Sequence, residues 1–398
     1  MDNSIDDLTK QIQDNNIDIK ALNEFIQEEE NEEFQLNENG EIMNKISNES
    51  IIKKILNFIM QILIALNFIN EKEEKNICGI INVGNTCYIN AGLQILSRCY
   101  PLIKELLQSN YENNELIKLF LESTTALLFK KDKNYNPTKF LESFCEMNKD
   151  FNIGQPNCSQ DFIRTMIGNI NAILDKNKNF KKYNPNDQNE KDEYEKYIEE
   201  NKIFPESKAY SIFSGILKVE INCQCNKCNE EIYHYSFGDF VDQILYLDSF
   251  STKCKFKDVL DKNIGQSNKV SMNCPKCKNK ICCKSISKFI KIPEIFIFTL
   301  ERYLVRNKVP VEPDEYINIH DLVDSSLKIS KDQCNYELFA INIRLGDDLS
   351  FGHEICQIKQ DNKWYTINDG VFNLKDSEYY EYSYGLFYRR IYKTKKNK

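Results

Sequence analysis

Three histidines, one tryptophan, nine prolines and 13 glycines in 398 residues leave few places for imidazole chemistry and exclude a collagen-like or Pro/Gly-rich low-complexity chain. No long Lys/Arg block occurs, the formal net charge is −8 and the pI is near 5.3, so the footprint of a nucleic-acid binder is missing. The opening residues, MDNSIDDLTK, lack the basic start and apolar core of a secretory signal. No internal repeat recurs at a solenoid period. Long apolar runs are missing too. The most hydrophobic stretch, residues 51–70, has Ile62–Leu66 as its longest unbroken run, where a spanning helix needs about 20 mostly apolar residues.

What is present is unevenly placed. Residues 1–76 hold 17 acidic and 7 basic side chains, while residues 77–398 hold 43 and 45. Residues 1–50 read as an acidic mobile segment with too little apolar content for a core. In residues 51–76, Lys53, Asn57 and Gln61 recur every four positions among 14 apolar residues, which predicts an amphipathic helix followed by a linker. Docking of that helix on protein is favoured over contact with a membrane. Either a regulatory or localising role or a bland tail fits residues 1–76. Helical periodicity runs from Tyr88 to about Leu174, and the charged stretch 175–201 reads as a surface insertion. Runs rich in β-branched and aromatic residues follow, among them SIFSGILKVEINC, KFIKIPEIFIFTL, YELFAINIRL and YGLFYRRIY. Helices first and strands later predict an α+β fold.

Fifteen cysteines are many, but the number is odd and four of them form two Cys-x-x-Cys pairs, Cys225/Cys228 and Cys274/Cys277. This favours thiols that bind metal or catalyse in a reducing, intracellular compartment, cytoplasmic or nuclear, over a disulfide framework. Each pair has the knuckle spacing of a tetrahedral zinc site, and the 45 residues between them predict two separate hairpins joined only by the metal. Four thiolates leave no open position, so the expected zinc, one per chain, is structural, and no catalytic cofactor is expected. Cys223, Cys282 and Cys283 flank the pairs with poor knuckle spacing.

In GIINVGNTCYINAGLQIL, residues 79–96, a tight Gly-Asn-Thr turn leads into apolar positions at helical spacing, which sets Cys87 at a helix N-terminus. The partial positive charge there, with a nearby imidazolium, favours the nucleophilic thiolate. Of the histidines, His353 in FGHEICQIKQDNKWYTINDG follows Gly352 and opens a strand-like run.

These two segments resemble the cysteine and histidine boxes of the ubiquitin-specific proteases. IPEIFIFTLERY (292–303), YGLFYRR (384–390) and QPNCSQDF (155–162) extend the resemblance over roughly residues 77–395. It implies a papain-like cysteine protease core with a helical thumb, an antiparallel palm and zinc-containing fingers at about 213–290. It also implies Cys87 as nucleophile, His353 as general base, Asn368 as the group orienting the imidazole, and Asn82 as oxyanion donor. Asp369 would assist the imidazolium or the oxyanion. Cys158, Gly352, Glu354 and Tyr384 would line the substrate groove. The sequence departs from the family's usual pattern at Cys158, where an acidic residue is common, at Glu354, where an aromatic is, and at Arg344, near a usual histidine. Glu354 is expected either to face a basic residue of the substrate tail or to face solvent.

The implied activity is thiol-dependent hydrolysis after the C-terminal glycine of ubiquitin, with ubiquitin and ubiquitinated proteins as partners and a monomer as the working form. The alternatives are a catalytically silent ubiquitin-binding scaffold, a protease for a related modifier, and a zinc-held interaction module.

Overall fold

A computed structural model describes residues 77–109, 114–129, 134–174, 185–200, 207–302, 308–346, 352–360, 362–374 and 379–392. These all fall in one compact unit, Lys75–Lys398. The expectations for residues 1–50 and 51–76 lie outside the described residues. No described helix is long and apolar enough to cross a membrane.

The first half is helical. Helix α1 (Cys87–Leu96) is buried along its whole length, as its CYINAGLQIL sequence, without a charged face, requires. Around it come α2 (Tyr100–Gln108), α3 (Glu115–Phe129), α4 (Thr138–Met147) and α5 (Ser159–Ile173). Pro101 sits in the first turn of α2, where its missing N–H costs nothing. Phe144 of α4 meets Phe162 of α5 at 5.0 Å and Phe151 at 5.1 Å between ring centroids, both edge-on. Gly92 lets α5 approach α1, since a Cβ there would lie 2.4 Å from the Phe162 ring.

The second half is mainly antiparallel sheet. One eight-stranded sheet runs β13 (Val371–Leu374), β12 (Lys363–Asn368), β11 (His353–Gln360), β10 (Asn335–Leu345), β14 (Ser383–Arg390), β7 (Ile295–Glu301) and β3 (Asp242–Tyr246), with β9 (Tyr316–Asn318) also on β10. Within this sheet only β3 and β7 pair in parallel, and β4 (Cys254–Lys255) and β8 (Val311–Glu312) form a separate two-stranded parallel pair. Strands β7, β10 and β14 are buried on both faces, which explains their near-continuous apolar sequences. Phe298 stacks on Phe296 at 4.5 Å, and Phe256 from α7 (Phe256–Asn263) stacks on Tyr388 at 5.3 Å. Burial of each such ring stabilises by roughly 1.5–3 kcal/mol. Helix α1 packs against β10 and β11. The fold is therefore α+β, as the order of helical and strand-like segments predicts.

A four-stranded sheet, β2 (Glu230–Phe240), β1 (Gly215–Cys225), β6 (Lys280–Lys291) and β5 (Asn268–Asn273), carries the two Cys-x-x-Cys turns. Each turn closes one hairpin, as the spacing predicts, but the hairpins are not joined only through the cysteine cluster. Strands β1 and β6 pair directly from Ile216 to Asn222, and Cys223 and Cys283 form a disulfide across them with Cα atoms 4.5 Å apart. Sequence separation hid both facts, because the disulfide partners lie 60 residues apart and the paired strand residues farther still. The disulfide is one that the expectation of metal-binding or catalytic thiols in a reducing compartment did not foresee.

The stretch expected as a surface insertion contributes α6 (Gln188–Glu200), which packs on β2. Tyr194 and Tyr197 meet Phe237 at 5.2 and 5.8 Å. Glu190, fully buried, pairs with Lys218 at 2.6 Å, and Lys218 pairs with Asp324 at 2.5 Å. A charged composition concealed this because Glu190 and Tyr197 alone are buried among the described side chains of the helix.

Candidate active site

The segment before α1 is a tight, cross-linked loop. Gly84 (φ +114°) and Asn85 (φ +49°) take left-handed conformations, which glycine and asparagine tolerate best. Gly154 donates its N–H to the Gly84 carbonyl at 3.0 Å, and the Asn85 amide donates to the Gly154 carbonyl at 2.7 Å. Asn82 Oδ1 accepts from the Gly84 and Thr86 N–H groups at 3.0 and 3.2 Å and from the Thr86 hydroxyl at 3.2 Å. The loop therefore delivers Cys87, 9% exposed, as the first residue of α1.

His353 opens β11 on the facing sheet and Asn368 ends β12. The ring Nε2–H donates to Asn368 Oδ1 at 2.7 Å, which leaves Nδ1 for the thiol. The hydrogen bond with Cys87, against the opposing effect of burial and with the help of Asn368 and the charges of Cys87 and Asp369, raises the His353 pKa to about 9. Asp369, next in the chain, turns at φ +51° and leaves His353 to Asn368. Its Oδ2 accepts from the Asn82 amide at 2.9 Å and its Oδ1 from the Asn90 amide at 2.7 Å. Its carbonyl accepts the Ile80 N–H at 2.9 Å, tying both ends of the loop before α1 to the sheet.

The five residues expected to carry chemistry thus lie together. With one amide hydrogen held by Asp369, the Asn82 amide has a second to give. Asn90 was missed by sequence reasoning. Its signal was available, since Asn90 and Gln94 are polar residues one turn apart in an otherwise apolar helix, and both are buried with hydrogen bonds to neighbouring segments.

The residues expected to line a groove divide. Gly352 is exposed beside His353, and Tyr384 on β14 is 9% exposed. Cys158 is half-buried and precedes α5, with its thiol pushed up to about 12 by burial and then by the charge of Glu354. Glu354 differs from both expectations. It faces neither a groove nor solvent, being 2% exposed and paired with Arg344 Nη1 at 2.7 Å. Arg344, 4% exposed, stands directly across the β10–β11 ladder, so the two departures from the family's pattern satisfy each other. Burial pushes the Glu354 carboxyl above its usual range, opposed by Ser159 and Arg344.

The cysteine cluster lies in the four-stranded sheet. The sulfurs of Cys225, Cys228, Cys274 and Cys277 all lie within 4.8 Å of one another. Cys225–Cys277, Cys228–Cys274 and Cys228–Cys277 are separated by 3.5, 3.6 and 3.9 Å. A tetrahedral zinc with sulfur ligands at about 2.3 Å has edges of about 3.8 Å, so the donor set fits that ion. The residue after each second cysteine, Asn229 and Lys278, is left-handed (φ +52° and +59°), giving the two turns one geometry. Backbone N–H groups, that of Cys228 first, hold the Cys225 pKa down at about 6. This arrangement could hold a metal ion.

Residues 78–388 match the family described as "Ubiquitin carboxyl-terminal hydrolase". Over 351 residues, 78% of this chain, it is 25% identical to the protein named "Probable ubiquitin carboxyl-terminal hydrolase 4" of Schizosaccharomyces pombe. Over 356 residues, 80% of this chain, it is 24% identical to "Ubiquitin carboxyl-terminal hydrolase Usp2" of Drosophila melanogaster. The matched regions span 58% and 35% of those two proteins.

Proposed function

Because the chain belongs to the ubiquitin carboxyl-terminal hydrolase family, we propose that it is a cysteine-type deubiquitinase, cleaving the isopeptide or peptide bond after the C-terminal glycine of ubiquitin. The observation that carries this reading is the Cys87–His353–Asn368 relay at the N-terminus of α1. In that relay the Cys87 thiolate attacks the glycine carbonyl carbon, and the charge moves onto the carbonyl oxygen. The free Asn82 amide hydrogen and the first-turn N–H groups of α1, which have no intrahelical acceptors, receive that oxyanion. His353 gives its proton to the departing amine, the C–N bond breaks, and a thioester remains on Cys87. Neutral His353 then takes a proton from water, which attacks the thioester and releases the carboxylate and the thiolate. Asn368 holds the ring in one tautomer throughout without adding charge.

In this reading α1–α5 form the thumb, the eight-stranded sheet the palm and the four-stranded sheet the fingers, with ubiquitin gripped between them. Cys225, Cys228, Cys274 and Cys277 hold structural zinc, which supplies a cross-link and no chemistry, as four soft thiolate donors favour. The protein works as an intracellular monomer on ubiquitinated proteins.

Labelling with ubiquitin bearing a C-terminal electrophile tests the proposal. An adduct is expected with the wild type and none with Cys87→Ala, whose turnover of ubiquitin–rhodamine should fall by roughly 10⁴-fold or more. An adduct with another modifier in place of ubiquitin would move the substrate, and no adduct with any would favour the silent scaffold.

A further inference from the structure

Glu354 follows His353 directly, so strand alternation turns its side chain to the opposite face of β11 from the imidazole. There it gathers donors from two separate parts of the fold. From β10 come Arg344 Nη1 at 2.7 Å and the Asn342 amide at 3.1 Å. From α5 comes the backbone N–H of Ser159, the first residue of that helix, at 3.1 Å. No side chain of α5's own N-cap, Cys158, supplies that bond. A carboxylate of the sheet thus caps a helix of the other half, where the helix dipole favours negative charge. The Ser159 hydroxyl also touches Glu354 Oε2 and donates to the carbonyl of Tyr88 at 2.9 Å. Tyr88 is the residue after Cys87. The carboxylate is therefore two links from the carbonyl of the residue after the nucleophile and one residue from the base.

Arg344 extends the contact to the other side of His353. A Cβ on Gly352 would lie 3.2 Å from Arg344 Nε, so the guanidinium backs the peptide that leads into His353. A buried ion pair contributes little to net stability relative to apolar side chains of the same size, but removing one partner leaves an uncompensated charge. Its value here is geometric.

We propose that Glu354, with Arg344 and Ser159, is a positioning device that fixes the separation of Cys87 and His353 by clamping β11 to the start of α5 and, through it, to α1. It touches no substrate. It sets the distance across which the thiol and the imidazole exchange a proton, and misplacement of reacting groups by about 1 Å is enough to cost about 100-fold in rate.

The inference rests on the thiol-hydrolase reading, and the test separates the two. Glu354→Gln and Ser159→Ala are compared with wild type by kcat and KM on ubiquitin–rhodamine. The rate of Cys87 alkylation by iodoacetamide is read across pH by peptide mass, a measurement that needs no ubiquitin. Both variants are expected to lose roughly 10- to 100-fold in kcat with KM held within about twofold. Cys87 alkylation at about pH 6 should fall in parallel, because a displaced imidazolium no longer sustains the thiolate. Ser159→Ala with wild-type kcat and an unchanged alkylation profile would overturn the clamp, as would losses confined to the folded fraction or to KM. Should Glu354→Gln not fold, Ser159→Ala decides alone, since it leaves the Arg344 pair intact. A wild type without ubiquitin turnover and without fast Cys87 alkylation would sink the hydrolase reading itself.

Discussion

The two sheets are held together by different physics. In the eight-stranded sheet, β7 and β14 are buried almost end to end, and Phe256, Phe296, Phe298 and Tyr388 pack into one apolar core. In the four-stranded sheet, β2 and β5 are mostly exposed, and the two hairpins are joined by the β1–β6 ladder, a disulfide and a cluster of four thiols, while the buried Lys218 of β1 pairs with Glu190 of α6 and with Asp324. The first region is stabilised by area removed from water, the second by a few discrete links. His353 and Asn368 sit on the first region, where it meets α1 and Cys87, so their geometry is over-determined by packing.

That contrast can be broken in four ways, taken from the largest effect down. Stripping metal with a chelator should free the tips of the two hairpins, which stay joined by the β1–β6 ladder and the Cys223–Cys283 disulfide, as a structural zinc site is worth about 10–16 kcal/mol in apparent binding. Ubiquitin–rhodamine turnover should drop by roughly 100-fold or more, while iodoacetamide still alkylates Cys87 at the wild-type rate. If both fail together, the two sheets are one cooperative unit. Phe298→Ala attacks the other region and should cost about 3–5 kcal/mol, read as a lowered melting temperature.

Next comes the relay. The folded-state pKa of His353 lies above its ordinary 6.5, at about 9. The imidazolium is therefore kept up to that pH and lost above it, and kcat/KM should fall as pH rises through about 9. Asn368→Ala withdraws one raising contribution, so the alkaline limb should move to lower pH, with roughly a 10- to 100-fold loss at the optimum. The smallest effect is expected from Tyr233→Ala on β2, 43% exposed, which should change stability by no more than about 0.5 kcal/mol by thermal denaturation.

Much of this was legible in the chain itself because the signals were local. The turn before Cys87 announces itself by Gly-Asn-Thr, the metal knuckles by Cys-x-x-Cys, and β7, β10 and β14 by continuous apolar runs. What escaped was non-local. Nothing near Cys223 points to Cys283, and a charged stretch gives no hint that Glu190 will be buried against Lys218. Glu354 is the sharpest case. Read alone it is a glutamate beside a catalytic strand, and only the register that sets Arg344 opposite turns it into a buried partner. The role of Asp369 was likewise open until its two oxygens were seen on Asn82 and Asn90.

Asp369 also says something about mutational tolerance. Its backbone, at φ +51°, is comfortable for glycine, asparagine and aspartate and strained for most other side chains. Its carboxylate must meanwhile offer one oxygen to each of two amides. Glycine satisfies the backbone and supplies no acceptor, asparagine supplies one oxygen in place of two, and glutamate supplies both oxygens on a backbone that resists the turn. The two demands intersect at a single amino acid, so a saturation library selected for activity should return this position nearly unchanged while its exposed neighbour Val371 varies freely.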